Sequence, residues 1–501
     1  MSAWRRGPQT LLFVIGLGLS AMLVSSLSGC SGSTGPMQSF LRIVGLEAVA
    51  LENPSSAETA RFVEVYEAYA DQSTPSKIKH FNDAFKRVRL NSVRTVPDKD
   101  LIDAAIKAVQ TMEEEPGSIP GDRVVEIALD GMLDSLDAHS DYLTPQEYQE
   151  MQVSTRGEFG GLGIEITLDG DFVRVVAPIE DTPAYRAGIQ AGDLITHLDG
   201  DSIKGQTLAQ AVRTMRGRPG TSIRLTIERE GRTPFDVPIT RAIVQVQAVR
   251  YNAEGSVGYI RIRRFSEKLE DGILEAVADL KREIGPGISG FVIDLRNNPG
   301  GLLTQSIILS DAFLEEGRVV SVRGRPGTSE RVYSASSGDL LDGLPMVVLI
   351  NRGSASASEI VARALQDHGR ALVMGQRSFG KGSVQTITPL PEEGALKLTT
   401  QLFYGPSGHA IQALGVQPDI IIEPADVPEE GADAPREADL PGALDQVEAD
   451  FFEVKGTVSE SSCPVAGERE DRMLGCALEL LKAGTPAKFL SDIGKADPSA
   501  I

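Results

Sequence analysis

The chain has 501 residues, of which 41% are hydrophobic and 24% are charged. This length and composition predict a globular protein with a sizeable core and more than one domain. The formal net charge of −21 argues against a nucleic-acid partner, which would need a basic surface. The cysteines, Cys30, Cys463 and Cys476, are too few for a disulfide scaffold, and their spacing does not match a zinc site.

The first 30 residues have the pattern of a secretory signal peptide. Arg5 and Arg6 precede an apolar segment at 11–27. The segment ends in Leu-Ser-Gly-Cys30, which is similar to the lipobox of bacterial lipoproteins, and this resemblance makes Cys30 a lipidation site. An uncleaved signal anchor is the alternative, because the run is nearly long enough to span a bilayer. In both cases we expect a membrane-tethered protein on the periplasmic side of a bacterium.

Two cysteines near the C-terminus have a role that depends on this location. In an oxidising compartment Cys463 and Cys476 could close a short disulfide loop, and two free thiols are the alternative.

Residues 34–150 are predicted to be a helical N-terminal region. Apolar residues recur at spacings of three and four within 81–109, and Asp98 is predicted to be a helix N-cap. A further helix is predicted at 123–136. His139 follows it, and we interpret this residue as a structural histidine because nothing nearby completes a catalytic triad.

Residues 157–242 resemble a PDZ domain. The glycine loop at 160–164 leads into a strand, whereas a nucleotide-binding glycine loop would open a helix. Its N–H groups can hold a terminal carboxylate while the strand edge pairs with an extended peptide. The predicted helix at 208–215 has one apolar face, which is either ordinary core or the wall of a peptide groove. The predicted peptide-binding residues are Gly161, Leu162, Gly163, Ile164, Leu208, Val212 and Met215.

Strands and helices alternate over residues 243–422, which predicts an α/β core. A strand at 290–295 ends in the turn 297–301, whose glycines leave backbone N–H groups exposed, as an oxyanion hole requires. A buried strand at 346–350 runs into a Gly-Ser-Ala-Ser-Ala-Ser turn and a predicted helix at 357–367. A serine in this turn lies where the first N–H groups of the helix would stabilise an oxyanion.

A lysine between two glycines follows, in the sequence Gly-Lys381-Gly-Ser-Val-Gln385. In an extended segment Lys381, Ser383 and Gln385 face the same side. Lysine accepts a proton from serine only when its amine is neutral, and burial lowers its pKa. Gln385 can orient the amine without adding a negative charge that would restore its protonation. The pattern therefore predicts a Ser–Lys hydrolase.

The blocks GSASASEI, SFGKGSVQ and FVIDLRNNPGGLL resemble those of the C-terminal processing (tail-specific) peptidases, which are PDZ-containing serine proteases. The resemblance makes Ser356 the nucleophile, Lys381 the general base and Gln385 a supporting residue. It assigns the oxyanion-hole donors to Gly301 and Ala357, with Gly300 a near equivalent of Gly301. A plain strand-ending turn is the alternative for these glycines.

Other polar residues of the predicted helix 357–367 are expected to support the site by the same resemblance. Glu359 and Asp367 are the supporting residues, and their alternatives are helix-dipole stabilisation and a structural contact at the helix C-terminus. His368 points away from Ser356, which argues against a Ser–His–Asp triad.

The resemblance implies an α/β (α+β overall) protein with a helical N-terminal region, an inserted PDZ domain, a ClpP/crotonase-like core and a C-terminal helix. It implies endoproteolysis near the C-termini of extracytoplasmic proteins, with the PDZ domain capturing the tail. No metal or organic cofactor is implied. A second copy or an adaptor is a possible further partner. A non-catalytic binding or adaptor protein is the alternative, but it would need neither Ser356 nor Lys381.

The C-terminal part of the sequence changes character. Residues 423–455 are rich in Glu, Asp, Ala and Pro, which predicts an acidic flexible linker. Residues 456–501 are predicted to be helical, with an amphipathic helix at 471–482 that docks on the body or on a second subunit.

Overall fold

The computed structural model describes residues 56–493, except 180, 230, 246, 425–434, 446–452 and 468–469. The predicted signal segment and Cys30 lie outside the described residues. Among the helices within this described part, none is both long enough and apolar enough to span a bilayer.

The helical N-terminal region buries its aromatic residues in an apolar cluster that also includes residues of the later chain. Phe62 stacks on Phe81 with the ring centroids 3.6 Å apart. The same apolar cluster includes Leu396 and Leu398, so the N-terminal region shares a core with part of the predicted α/β region at 243–422. Its elements are α1 (Ser56–Tyr69), α2 (Pro75–Asn91), α3 (Asp98–Gln110), α4 (Gly121–Asp134), β1 (Asp141–Leu143), α5 (Pro145–Thr155) and β2 (Glu158–Gly161).

The start of α3 differs from the prediction by one residue. Pro97 is the N-cap, and Asp98 is the first helical residue, so the predicted cap is wrong. The Asp98 carboxylate instead accepts a hydrogen bond of 2.5 Å from Arg89 Nε. An acidic group in the first turn still interacts favourably with the helix dipole.

The predicted PDZ region forms a separate sheet with its own apolar core. The strand order is β3-β4-β5-β7-β8, with β6 paired to β5. Its elements are β3 (Ile164–Asp169), β4 (Phe172–Pro178), α6 (Pro183–Arg186), β5 (Leu194–Leu198), β6 (Asp201–Ser202), α7 (Leu208–Met215), β7 (Ser222–Glu228) and β8 (Phe235–Thr240). The next strand, β9 (Ala242–Gln245), pairs antiparallel with β2, with Ala242 opposite Gly161. The chain therefore enters and leaves this region at one place.

The remaining chain forms an α/β core around a seven-stranded sheet of order β10-β11-β12-β15-β16-β19-β20. All neighbours pair in parallel except β10 and β11. The elements are β10 (Val249–Glu254), β11 (Val257–Ile262), α8 (Leu269–Ile284), β12 (Gly290–Asp294), α9 (Leu303–Asp311), β13 (Arg318–Arg323), β14 (Arg331–Ser334), β15 (Met346–Ile350), α10 (Ala357–Asp367), β16 (Leu372–Gly375), β17 (Ser383–Pro389), β18 (Ala395–Tyr404), β19 (Ile420–Glu423), β20 (Gly456–Ser459), α11 (Arg472–Ala483) and α12 (Pro486–Ile493).

Helices cover both faces of this sheet, which explains why its central strands are continuous apolar runs. Phe291 and Ile293 belong to the cluster that contains α8, α9 and α10 residues. Val292, between them, belongs to the cluster that contains α11 and α12 residues. This alternation is the period-two geometry of a strand. A second sheet has the order β1-β18-β13-β14, with β17 paired to β18. Because β1 belongs to the N-terminal region and the other strands to the core, this sheet joins the two.

The C-terminal segment contains a strand as well as helices. Strand β20 extends the main sheet beyond β19, so this segment is not purely helical as predicted. Helix α11 matches the predicted amphipathic helix to within one residue and docks on the body of the same chain. Cys463 and Cys476 form a disulfide with Cα atoms 5.1 Å apart.

Part of the predicted flexible linker is ordered against the core. Residues 435–445 include a 3₁₀ turn at Glu437–Asp439, and Glu437 is only 1% exposed. The acidic composition of this segment suggested no buried contacts, but the Glu437 carboxylate has hydrogen-bonding partners in His139 of the N-terminal region and Gln412 of the core. Tertiary contacts therefore override the composition here.

The close packing of α3 on α4 gives a stability prediction. A Cβ at Gly131 would lie 2.3 Å from the Ala108 Cβ, so Gly131→Ala forces the helices apart. Although alanine favours helices by about 1 kcal/mol over glycine, we expect a net loss of about 1–3 kcal/mol from overpacking. Thermal unfolding of the purified protein measures this, and Ala108→Gly in the same background should restore the midpoint. An unchanged or raised midpoint for Gly131→Ala alone would contradict this packing.

Candidate active site

Two turns meet at the carboxyl ends of neighbouring parallel strands. The first follows β12 and the second follows β15, which is the edge where α/β proteins place their sites. The Asn298 carbonyl accepts hydrogen bonds from Ala355 N at 3.0 Å and from Ser358 Oγ at 2.9 Å. Asn297 N donates to Asn351 Oδ1 at 2.9 Å. The glycine turn and the serine turn are thus held together as one unit.

The serines of the second turn have different surroundings. Ser354 and Ser358 are completely buried. Ser354 Oγ donates to the Leu295 carbonyl at 2.8 Å, so this hydroxyl is committed to holding the turns. Ser356, the middle serine, is only half-buried. It is also the N-cap of α10, with a φ of 55° and a ψ of −113°. A positive φ is costly for a residue with a side chain and is retained where the surroundings enforce it.

The carboxylate of Glu359 enforces this conformation. It is 1% exposed and accepts a hydrogen bond from Ser356 N at 2.7 Å. It also accepts from Ser378 Oγ at 2.5 Å, from Gly380 N at 2.7 Å and from Lys381 N at 2.9 Å. One side chain therefore ties the turn of Ser356 to the loop of Lys381.

Burial has the largest effect on the pKa values of both Glu359 and Lys381. Burial raises the pKa of Glu359 to about 7, against the opposing effect of its hydrogen bonds. Burial also lowers the pKa of the Lys381 amine, and the positive charge of Lys397 lowers it further. Glu437, Asp137 and Glu359 act in the opposite direction. Within the described part of the chain, the hydrogen-bonding partners of the Glu359 carboxylate are uncharged N–H and O–H groups, so burial has the larger effect on its pKa.

Gln385 belongs to a polar chain behind the lysine loop. Its Nε2 donates to Ser383 Oγ at 2.9 Å and to Thr399 Oγ1 at 3.2 Å. Thr399 Oγ1 donates in turn to Asp137 Oδ1 at 2.8 Å. The register of this strand shifts between Val384 and Gln385, but the side chains of Ser383 and Gln385 still contact each other, as expected for residues on one side of the strand.

Sequence reasoning missed several residues around Lys381. Gln412 Oε1 accepts from Gly382 N at 2.9 Å, and Gln412 Nε2 donates to Glu437 Oε1 at 2.8 Å. Glu437 also binds His139 Nε2 at 2.8 Å. Asp137 holds the Ser140 hydroxyl at 2.6 Å. The acidic composition of residues 423–455 gave no signal for Glu437.

Asp367 and His368, at the far end of α10, contact other parts of the chain. Asp367 pairs with Arg363 at 2.8 Å and accepts from Ser407 N at 2.9 Å. Asp367 thereby holds the loop after β18. His368 Nε2 bonds the Arg318 carbonyl at 2.7 Å, so His368 is occupied elsewhere.

The predicted peptide-binding residues lie at the turn between β2 and β3 and on α7 of the PDZ region. Strand β3, which begins at Ile164, is the edge strand of its sheet in the described structure. Gly163 has a φ of 79°, and a Cβ there would lie 2.2 Å from Thr182 Cβ, so only glycine fits. On α7, Met215 is buried, whereas Leu208 and Val212 are half-buried. Gly161, the last residue of β2, and Leu162, between β2 and β3, are also buried.

Family models and known proteins match these two regions. The model of peptidase family S41 matches residues 256–422, and that of the PDZ domain matches residues 174–229. The carboxy-terminal-processing protease of Bartonella bacilliformis is 48% identical over 355 residues, which cover 70% of this chain and 76% of that protein. A probable CtpA-like serine protease of Staphylococcus aureus is 37% identical over 309 residues, or 60% of each chain. The solved photosystem II D1 C-terminal processing protease aligns with 27% identity and a TM-score of 0.45, over 72% of this chain and 96% of that one.

The matched domains and the α/β core define a serine-type peptidase that carries a PDZ domain. The chain belongs to peptidase family S41 and to its carboxy-terminal-processing proteases. The resemblance, the fold class and the enzyme class expected from the sequence are confirmed. Protein substrates follow from the same membership.

The raised pKa of Glu359 predicts how pH acts on stability. A folded-state pKa of about 7 exceeds the ordinary glutamate pKa of 4.5, so the stabilising contribution of Glu359 is fully present below about pH 4.5 and is lost as pH rises through 7. Glu359→Gln removes this titration. We expect the thermal midpoint of the variant, relative to that of the parent, to rise between about pH 5 and about pH 8. Parallel midpoint curves over that range would show that Glu359 titrates normally.

Proposed function

We propose that the chain is an extracytoplasmic endopeptidase that cleaves proteins near their C-termini, with Ser356 as the nucleophile and Lys381 as the general base. The observation that carries this proposal is the bridge through Glu359, whose carboxylate binds the backbone N–H of both residues. A nucleophile and a base must be held in a defined relation for proton transfer to be efficient.

The lysine suits the role of a base because its surroundings favour the neutral amine. Burial is the largest cause of its lowered pKa. The neutral amine removes the proton from the Ser356 hydroxyl as the oxygen attacks the peptide carbonyl carbon. The resulting ammonium then donates a proton to the leaving amine, which leaves an ester on Ser356. Water, deprotonated by the same amine, hydrolyses this ester.

The oxyanion of each tetrahedral intermediate needs donors beside the nucleophile. We assign them to the N–H groups of Gly301 and Ala357. Gly300 is the weaker choice, because its N–H already donates to Asn298 Oδ1 at 2.9 Å. A Cβ at Gly300 would lie 2.9 Å from Ala357 N and 3.0 Å from Ser356 Cβ, so its missing side chain leaves the space beside the nucleophile open.

Gln385 and the two acidic residues of α10 support these groups in different ways. We assign Gln385 Oε1 to the Lys381 amine, since Nε2 is already used by Ser383 and Thr399. Glu359 positions both backbones. Asp367 acts at a greater distance, through the loop that contains Ser407.

The PDZ region is proposed to capture the C-terminal tail of the substrate. The N–H groups of the loop Gly161–Ile164 would bind the terminal carboxylate, and the edge of β3 would pair with the extended tail. Leu208, Val212 and Met215 of α7 would line the pocket for an apolar side chain. Their partial or complete burial is compatible with such a wall.

An extracytoplasmic location is supported by two independent features. The basic and apolar pattern before Cys30 is that of an exported lipoprotein, with an uncleaved anchor as the alternative. The disulfide between Cys463 and Cys476 is of a kind that persists in oxidising compartments. Together they favour a membrane-tethered enzyme on the periplasmic side.

Replacing the two central residues tests the mechanism. Ser356→Ala and Lys381→Ala should each lower the cleavage rate by roughly a thousandfold or more, because the nucleophile and base act as a unit. Mass spectrometry of a loosely folded protein with small apolar C-terminal residues measures the cleavage. Cleavage that survives Ser356→Ala would exclude this serine as the nucleophile, and survival in Lys381→Ala alone would exclude the lysine as the base.

A second prediction concerns the groove of the PDZ region. Val212→Glu places a negative charge beside the captured tail and should raise KM on the order of tenfold with kcat unchanged, since only binding is weakened. Thr214→Glu, on the exposed side of the same helix, adds the same charge and should leave KM unchanged. Equal effects of both variants, or no effect of Val212→Glu, would argue against capture in this groove.

A further inference from the structure

Residues 435–445 form a short segment that lies on the peptidase core and buries two of its side chains, and we call this segment the strap. Its 3₁₀ turn places the side chain of Glu437 inward with 1% exposure, and Leu444 is also buried. An acidic side chain is rarely buried without partners, because removing a carboxylate from water is costly. The partners of Glu437 therefore indicate what the strap does.

The strap contacts the loop of the proposed base in two ways. Glu437 N donates to the Phe379 carbonyl at 3.3 Å. The Glu437 carboxylate accepts from Gln412 Nε2 at 2.8 Å, and Gln412 Oε1 accepts from Gly382 N at 2.9 Å. Glu437 thus orients the amide of Gln412 so that its oxygen faces the residue after Lys381.

Successive N–H groups of this loop are divided between two carboxylates. Gly380 N and Lys381 N donate to Glu359 directly, and Gly382 N is held by Glu437 through Gln412. The fit around Gly382 is close, since a Cβ there would lie 2.3 Å from Gln412 N. The backbone on both sides of Lys381 is therefore fixed.

The strap also joins the N-terminal region to the site. Glu437 Oε2 lies 2.8 Å from His139 Nε2, and a Cβ at Gly442 would lie 3.5 Å from Ala138 N. His139 therefore has a structural role as the partner of Glu437. The strap covers the segment that begins at Asp137.

The charge of Glu437 reaches the lysine as well. The charged groups that act on the Lys381 amine are Lys397, Glu437, Asp137 and Glu359. Of these, Glu437 and Asp137 raise the pKa of the amine, as does Glu359, whereas Lys397 lowers it. Loss of the Glu437 charge would leave a more acidic lysine.

We propose that the strap completes the peptidase site, with Glu437 acting as a positioning residue that holds the Lys381 loop through Gln412. This inference rests on the proposed function of Lys381 as the general base. It assigns a role in the reaction to a segment outside the region that matches the peptidase family model, which ends at residue 422.

The test compares two carboxylates of the same strap in the full chain. Glu437→Gln removes the buried charge but keeps the shape, and Glu437→Ala removes the contact altogether. Asp445→Asn is the matched control, because Asp445 is exposed on the same segment. A quenched fluorescent peptide with a free, small apolar C-terminus gives kcat, KM and their pH profiles. Assays are run at a temperature where every variant has the circular-dichroism spectrum of the parent.

We expect Glu437→Ala to lower kcat on the order of tenfold with KM unchanged, since one charged hydrogen-bonding group is lost and the PDZ groove is untouched. Glu437→Gln should lower kcat less and should move the acid limb of the kcat profile to lower pH, because a negative neighbour of Lys381 is gone. Asp445→Asn should match the parent in all three quantities.

The outcomes separate this inference from the proposed function. If Ser356→Ala and Lys381→Ala abolish cleavage but the Glu437 variants behave like Asp445→Asn, the strap has no positioning role and the proposed function stands. An acid limb that does not move, with kcat and KM both altered, would reduce the strap to a packing element. If cleavage survives Lys381→Ala, the proposed function fails before the strap is considered.

Discussion

The carboxylate of Glu359 accepts hydrogen bonds from the backbone of Ser356 and from the backbone of Lys381, and the geometry of the whole site depends on this bridge. Ser356 needs it because a positive φ must be stabilised by its surroundings. The Lys381 loop needs it because the glycines on both sides of the lysine provide no side-chain packing of their own. This hydrogen-bond network fixes the backbone of both functional residues, and preorganised sites require such support.

The same site draws on segments that are far apart in sequence. The turns after β12 and β15 are adjacent because parallel strands place their carboxyl ends along one edge. Thr399 accepts a hydrogen bond from Gln385 and donates one to Asp137, which lies 262 residues before Thr399 in the chain. The helical N-terminal region is therefore more than a support for the core, since Asp137, just after α4, belongs to the polar chain behind the lysine. Burial in this assembly lowers the pKa of the Lys381 amine, an effect that a lysine on an isolated loop would lack.

The sequence pattern predicted those elements whose bounds depend on residues close together in the chain. The helices 208–215 and 357–367 have the predicted bounds, because their apolar spacing and flanking turns are decisive over a few residues. Glu437 could not be predicted, since a buried carboxylate is recognisable only from partners such as Gln412 that lie elsewhere in the chain. The cap at Asp98 was misjudged because the preceding proline already has the backbone geometry of an N-cap.

The pairing of β2 with β9 has a consequence for the architecture of the chain. Gly161 and Ala242 lie opposite each other, so from the side of the core the whole PDZ region is the loop of a β-hairpin. Closing a long disordered loop costs entropy, but an insert with its own core brings its two ends together as it folds. The peptidase core can therefore gain, exchange or lose such an insert without any change in its own strand order. The β2–β9 hairpin is accordingly the point at which a different recognition domain could be inserted.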